Sequence, residues 1–313
     1  MSAGGLDPDV RLYAVRNLLI DRLTAEIAGT FAAEGIETLV LKGPVLAEWL
    51  YPNEVRPYGD SDLMVAPENW VRAVGVLERL GFLDYLGPMS HPRMESFAGT
   101  GFIRNGESVD LHCALHGLDG DPNATWASFI TSSERQIIGG ANLRVPGRAV
   151  LLLHIGLHAA HHGEGKAIED LRRAIAAADR SLWQKALKLA RFHEGVPAFA
   201  SGLRLLPEGR DLARQLQIGD TRSLRHDLRH KGVPMAEGFN ELLSSETGVR
   251  EKLAVVANEL FPRPEFIRWW SPLARRGRLG MMVAYLWRPV WLVGHAPRGL
   301  LTWWLVRRDS GGQ

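Results

Sequence analysis

The chain carries one cysteine, Cys113, in 313 residues. A single thiol excludes an internal disulfide and any zinc site built on paired cysteines. Strong charge is also missing. The 37 Lys and Arg against 35 Asp and Glu leave a formal net charge of +2, too mild to call for nucleic acid as the partner. Long apolar runs are missing too. The richest stretch, residues 279–306, is interrupted by Arg288-Pro289, His295 and Pro297-Arg298, so no window approaches the roughly 18 uninterrupted apolar residues of a spanning helix. The N-terminal MSAGGLDPDV has no basic start followed by an apolar run, so no signal peptide is expected. There is no internal repeat and no low-complexity segment. These absences point to a folded cytoplasmic protein, with disorder expected only at residues 1–8 and 310–313.

The periodicities that are present describe an α+β chain. Val15, Leu19, Leu23, Ile27 and Phe31 recur every fourth residue and predict a helix over residues 10–34 with those side chains on its buried face. Residues 36–41 form a β-branched and apolar run, and Gly43-Pro44 then turns the chain into a helix over 45–51. A second strand is predicted over 60–65 and a helix over 67–80. Asn105-Gly106 separates runs 99–104 and 107–112 as a hairpin dipeptide does, and a further strand is placed at 142–145. From residue 148 the pattern is almost wholly helical. The expected architecture is a small mixed sheet with an N-terminal helix over residues 1–147, then an all-helical domain over 148–313 with a Trp- and Arg-rich end.

Chemistry concentrates in the first part. Asp60 and Asp62 stand two apart at the start of a predicted strand, where i and i+2 point to one face. Asp110 alternates with Val109 and Leu111 and shares a face with His112. If the two strands are neighbours, three carboxylates meet and can hold divalent cations, a pair of which sits about 3.5–4 Å apart in two-metal sites. Hard oxygen ligands suit Mg²⁺ or Mn²⁺. Upstream, Gly43 lets backbone approach a phosphate closely, Lys42 and Arg56 offer cations to it, and Gly59 opens the turn before the acids. Paired Asp residues beside Gly also occur as ordinary turn caps; the strand-borne third acid and the upstream glycine turn favour phosphoryl or nucleotidyl transfer.

On these residues the chain resembles a known group. Val40-Leu41-Lys42-Gly43, Leu50-Tyr51-Pro52, the run from Arg56 to Leu63 and Val109-Asp110-Leu111-His112 are similar to the nucleotidyltransferase superfamily that includes DNA polymerase β, and more closely to its branch of uncharacterised nucleotidyltransferases. That branch often accompanies natural-product or cell-surface biosynthesis genes. The resemblance implies the polymerase β-like core, Asp60, Asp62 and Asp110 as catalytic metal ligands, and Gly43 in the phosphate turn. It also implies an NTP substrate and an acceptor hydroxyl or phosphate on a small molecule or peptide, with no nucleic-acid template. The superfamily usually has Gly-Ser or Gly-Gly in the phosphate turn. Pro44 has neither hydroxyl nor N–H, and Lys42 is the residue placed to compensate.

His154, His158, His161 and His162 fall on one helix face at spacings that could serve packing, nucleotide binding or zinc. His158, His162 and Asp170 resemble positions that recur in the same branch and are assigned to the nucleotide side of the cleft. A His-centred metallohydrolase is the rival enzyme reading, and a non-catalytic nucleotide- or partner-binding module the rival of another class. Residues 261–308 interleave Trp with Arg, a composition that suits packing onto the helical domain with wet Arg heads, peripheral membrane or peptide contact, or nucleic acid.

Overall fold

The computed structural model describes residues 8–84, 99–219, 224, 227–228, 233–243, 248–262 and 264–311. They fall into two compact units, one reaching residue 219 and one beyond it. The first unit therefore continues past residue 147, where the pattern turns helical.

The first unit opens with α1 (Pro8–Ala33), then β1 (Thr38–Val40), α2 (Pro44–Leu50), β2 (Ser61–Val65), α3 (Trp70–Arg79), β3 (Leu83–Asp84), β4 (Gly99–Arg104) and β5 (Glu107–His112). These strands make a mixed sheet in the order β1-β2-β5-β4-β3. β2 runs antiparallel to β1 and parallel to β5, with Asp62 opposite Asp110. The β4–β5 hairpin turns at Asn105 (φ 49°) and Gly106 (φ 87°), both left-handed as a tight hairpin loop requires. The buried face of α1 is Ile20, Leu23, Ile27 and Phe31, while Val15 and Leu19 are exposed. The fourth-residue pattern thus reads the second half of the helix correctly and its first half wrongly: an apolar period fixes a face, not what covers it.

Some elements escape the apolar periodicity, α4 (Pro122–Thr131) and β6 (Glu134–Ile138) among them. α4 is capped by Asp121, whose carboxylate accepts from Asn123 and Ala124 N–H. β6 then pairs with β7 (Ala141–Val145) as a separate ribbon. α5 (Arg148–His162), α6 (Gly165–Ala177), α7 (Arg180–Phe192), α8 (Val196–Leu203) and α9 (Pro207–Gln215) complete the unit. α5 buries Val150 through Leu157 without a break, as a helix enclosed on all sides must. Gly156 admits the Phe199 ring of α8, whose Cδ2 lies 2.6 Å from where a Cβ would stand. One hydrophobic core runs from Ile20 to Ile218, so the sheet and these helices share an interior.

The second unit contains α10 (Pro234–Leu243), α11 (Val249–Leu260), α12 (Pro264–Trp270) and α13 (Arg278–Gly311). Its cores are small, one around Phe266, Ile267, Ala274 and Ala284, another around Leu228, Ala236 and Val306. Pro289 and Pro297, which interrupt the apolar run in the sequence, lie inside α13. Of the termini expected to be disordered, residues 1–7 and 312–313 lie outside the described residues, whereas Pro8 starts α1 and Ser310 and Gly311 continue α13.

Candidate active site

The site forms where β2 and β5 lie side by side. Parallel pairing puts Asp62 and Asp110 opposite each other and Met64 opposite His112. Alternation then selects faces. Ser61, one residue before Asp62, accepts a 2.7 Å hydrogen bond from Thr24 of α1, so Asp62 turns away from α1. On β5, Val109 and Leu111 are buried while Asp110 and His112 are partly open. One ligand atom each from Asp62, Asp110 and His112 lies within 4.8 Å of the others. Among the described residues this is the one group of His, Cys, Asp or Glu that converges so.

The neighbouring strand leaves this cluster room. Gly101 faces Asp110 and Gly99 faces His112 across the β4–β5 ladder. A Cβ at Gly101 would stand 3.3 Å from Asp110 Oδ1, and one at Gly99 2.6 Å from His112 Nδ1. Side chains at either position would crowd the ligand atoms.

Lys42, just past β1, supplies the charge. Its Nζ lies 2.7 Å from Asp62 Oδ1, and His112 Nε2 lies 3.7 Å from the same oxygen. Burial alone would lower the Lys42 pKa; the Asp62 carboxylate, helped by Asp60 and Asp110, outweighs burial and raises Lys42 above its ordinary value. Burial likewise opposes ionisation of Asp62, and the Lys42 ammonium holds that carboxyl well below the usual range. Asp110 moves the other way: burial pushes it up and the Asp62 charge pushes it further. Two acids side by side thus differ in basicity, as an acid–base pair requires. Both ring nitrogens of His112 are buried without a hydrogen-bond partner, and Asp62 Oδ1 has only the Lys42 ammonium against it. An imidazole left unpaired beside two carboxylates fits a divalent cation held by Asp62, Asp110 and His112.

The remaining expected residues take different places. Asp60 sits in the bend before β2, half-buried and outside the converging trio. It precedes the first paired residue, so strand alternation does not fix its direction. Its charge still acts on Lys42 and Asp110. Gly43 has φ 59° and ψ −112° as the cap of α2, a conformation that favours glycine, with the Tyr58 ring 3.4 Å from a built Cβ. The open side of Gly59 is filled by the Arg16 guanidinium, 2.6 Å from where a Cβ would be.

Arg56 and Asp170, both assigned to the nucleotide, turn to each other instead. Arg56 Nε and Nη2 donate to the two Asp170 oxygens at 2.8 and 2.6 Å, and Tyr51 OH donates to Asp170 at 2.8 Å. Both charged side chains are 2% exposed. Asn17 of α1 donates to the Arg56 carbonyl at 2.8 Å, and Tyr58 OH donates to Asp21 at 2.7 Å. The loop carrying Asp60 is therefore clamped to α1 on one side and α6 on the other. Sequence spacing gave no sign of the Tyr51, Tyr58 and Asn17 anchors.

His154 and His158 line a small pocket with Lys42, Leu46 and Asp170. The His158 and His162 ring centroids are 4.3 Å apart. Burial first, and the Lys42 charge second, lower all three imidazoles, His154 to about 3. They present a neutral wall beside the ammonium. Among the described residues, His154, His158 and His162 do not belong to the converging ligand set.

Known structures give partial likenesses. The antibiotic-resistance factor ANT(2'')-Ia is 16% identical, with 58% of this chain and 93% of that one covered at a TM-score of 0.40. An antigenic nucleotidyltransferase-like protein from Paracoccidioides brasiliensis is 12% identical, with 60% and 94% covered at 0.35. A tRNA nucleotidyltransferase complexed with a primer tRNA and an incoming ATP analog is 13% identical, with 74% of each chain covered at 0.27. No curated protein sequence matches the chain significantly. A family model described as uncharacterised nucleotidyltransferase matches residues 4–209, a span that holds the sheet, the acid cluster and α5 to α8, and the chain belongs to that family.

Proposed function

We propose that the protein moves a nucleoside monophosphate from an NTP to a hydroxyl or phosphate on a small molecule or peptide, using Mg²⁺ or Mn²⁺. The observation that carries this reading is the convergence of Asp62, Asp110 and His112 within 4.8 Å. Bound there, a divalent cation would lower the pKa of the acceptor hydroxyl and neutralise charge at the α-phosphate. The imidazole in the set makes Mn²⁺ as natural a choice as Mg²⁺.

The chain's own groups perform the rest. Asp110, the more basic acid, takes the acceptor proton as the new O–P bond forms and the bond to pyrophosphate breaks. Lys42 keeps a positive charge at the base of the site for nucleotide phosphate. Asp60 is the further acid available to a second cation. Gly43 keeps the turn before α2 open to a phosphate, and neutral His158 and His162 offer hydrogen bonds without adding repulsion near Lys42. Arg56 and Asp170 act by holding the Asp60 loop. The mild net charge suits an acceptor other than a template strand, and the lone thiol suits the cytoplasm. A biosynthetic pathway is the setting the family resemblance implies.

One feature favours a non-catalytic binding module: the Lys42 ammonium already neutralises Asp62. Pyrophosphate release separates the readings. Purified protein with each NTP, Mg²⁺ or Mn²⁺ and candidate acceptors is expected to release pyrophosphate, and Asp62→Asn to stop it. Calorimetric titration of Mn²⁺ gives a second readout, with binding expected in the wild type and lost in Asp62→Asn. Nucleotide binding that ignores the metal would sink the enzyme reading.

A further inference from the structure

We propose that the second unit docks on an anionic bilayer through one side of α13. At 3.6 residues per turn, Leu279, Leu286, Val290, Val293, Leu301 and Trp304 fall on a single side of this helix. Leu279 is 76% exposed, Leu286 69% and Val293 74%. Every residue on that side between Leu279 and Leu305 is apolar, glycine or proline. The opposite side is already used: Ala284, Arg288 and Val306 are buried, and Arg288 donates to Glu259 of α11 at 2.7 and 3.0 Å while lying over the Phe266 ring of α12. The helix is thus fastened by one side and bare on the other. Thirty-four residues at 1.5 Å each make it about 50 Å long. Bare apolar surface on this scale marks an interaction site.

Charge selects the occupant. Residues 266–308 contain eight arginines and no aspartate or glutamate. Arg278, Arg298 and Arg307 lie along the edges of the apolar side, and the Arg308 guanidinium stacks on Trp304 at 5.0 Å. An apolar strip bordered by arginines and tryptophan is the arrangement of a helix lying in the headgroup region, its cations paired with lipid phosphate. A second copy docking by the same strip would face arginine rows of like sign, which opposes association. No helix among the described residues is long and apolar enough to cross a membrane, and a helix bound by one side in this way lies along the surface.

The experiment is flotation of the full chain with vesicles of phosphatidylcholine alone or with about a third phosphatidylglycerol. Binding to the anionic vesicles is expected, weakened by raised salt and by Arg278→Gln with Arg298→Gln. Leu286→Glu with Val290→Glu is expected to cut binding at least about tenfold without changing the thermal melt, because both positions are exposed. Brominated lipid is expected to quench wild-type tryptophan fluorescence, and less so in Trp287→Phe; this readout stands even if a Glu variant misfolds. Three results would each overturn the proposal: no flotation with anionic vesicles, flotation unaffected by the Glu pair, or a dimer by light scattering that the Glu pair dissolves while vesicles stay unbound.

Discussion

Two buried ion pairs flank the candidate site, and they are finished to different degrees. Arg56 and Asp170 meet through two hydrogen bonds, with Tyr51 adding a third to the same carboxylate. Lys42 and Asp62 meet at 2.7 Å, yet Asp62 Oδ1 lacks a hydrogen bond of good geometry and the adjacent His112 has none at all. The Asp170 carboxylate, with three donors on it, has little left to offer a ligand, although Arg56 Nη1 has no hydrogen-bond partner; the pair locks α6 to the loop before β2. An incompletely satisfied pair next to a second acid retains capacity to bind. On the proposed function, the same residue types, Asp with a basic partner, are structural in one place and chemical a short distance away because their partners differ.

The sharpest way to break this contrast is Asp170→Ala. Removing one member of a buried pair strands the other and costs about 3–5 kcal/mol, which for a unit of this size lowers Tm by about 10 °C or more. Arg56→Met with Asp170→Leu is expected to recover much of that loss, since apolar replacement of a whole buried pair is often neutral. A calorimetric scan of the three proteins checks it; equal melts for wild type and Asp170→Ala would make the clamp irrelevant.

Asp110→Asn tests the other pair's surroundings. Activity is expected to fall by about 10²–10³-fold, or roughly 3–4 kcal/mol in the barrier. Stability is expected to hold or rise. The Asp110 carboxyl is raised by burial and by Asp62, so the native state holds a proton that the unfolded chain has released as pH climbs above 3.8, and ionised Asp110 detracts from stability there. A Tm loss as large as that of Asp170→Ala would erase the distinction between the two pairs. A smaller effect belongs to Gly43→Ala. At φ 59° and ψ −112° a Cβ adds about 1–3 kcal/mol of strain, and the nucleotide KM is expected to rise with little change in kcat. An unchanged KM would remove Gly43 from the nucleotide path.

The two pairs were unequally legible in the sequence. Local alternation predicts that Asp110 and His112 share a face and that the β4–β5 hairpin turns at Asn105-Gly106, because both follow from near neighbours. The meeting of Asp62 with Asp110 needed only that β2 and β5 be adjacent. Asp60 stands one residue before the paired strand, so the alternation rule that joins it to Asp62 in the sequence does not reach it. Arg56 and Asp170 are 114 positions apart, and nothing in either segment announces a partner; the recurring residues were visible, their mutual bond was not. α4 and β6 were missed because their signals, a capping Asp before Pro122 and an alternation weakened by Glu134, Arg135 and Gln136, lie outside apolar periodicity.

The mildest test concerns the neutral wall opposite Lys42. Burial, then the Lys42 charge, lowers His154 to about 3, whereas an unfolded histidine titrates near about 6.5. As pH falls below that unfolded value the unfolded chain takes up a proton that the native chain refuses. Native stability is therefore complete above it and drains away as pH drops toward 3, at no more than about 1.4 kcal/mol per pH unit for this one residue. His158 shifts in the same direction, so the total slope is steeper than His154 alone supplies. Asp62 does not mask the effect: its depressed carboxyl is ionised in native and unfolded chains alike until pH nears the ordinary carboxylate value. Between pH 7 and 5.5, His154→Gln is expected to shrink the stability loss by about 1 kcal/mol, read from denaturant midpoints at the two pH values. Parallel loss in wild type and variant would mean that His154 accepts its proton while folded, and that the wall beside Lys42 carries charge after all.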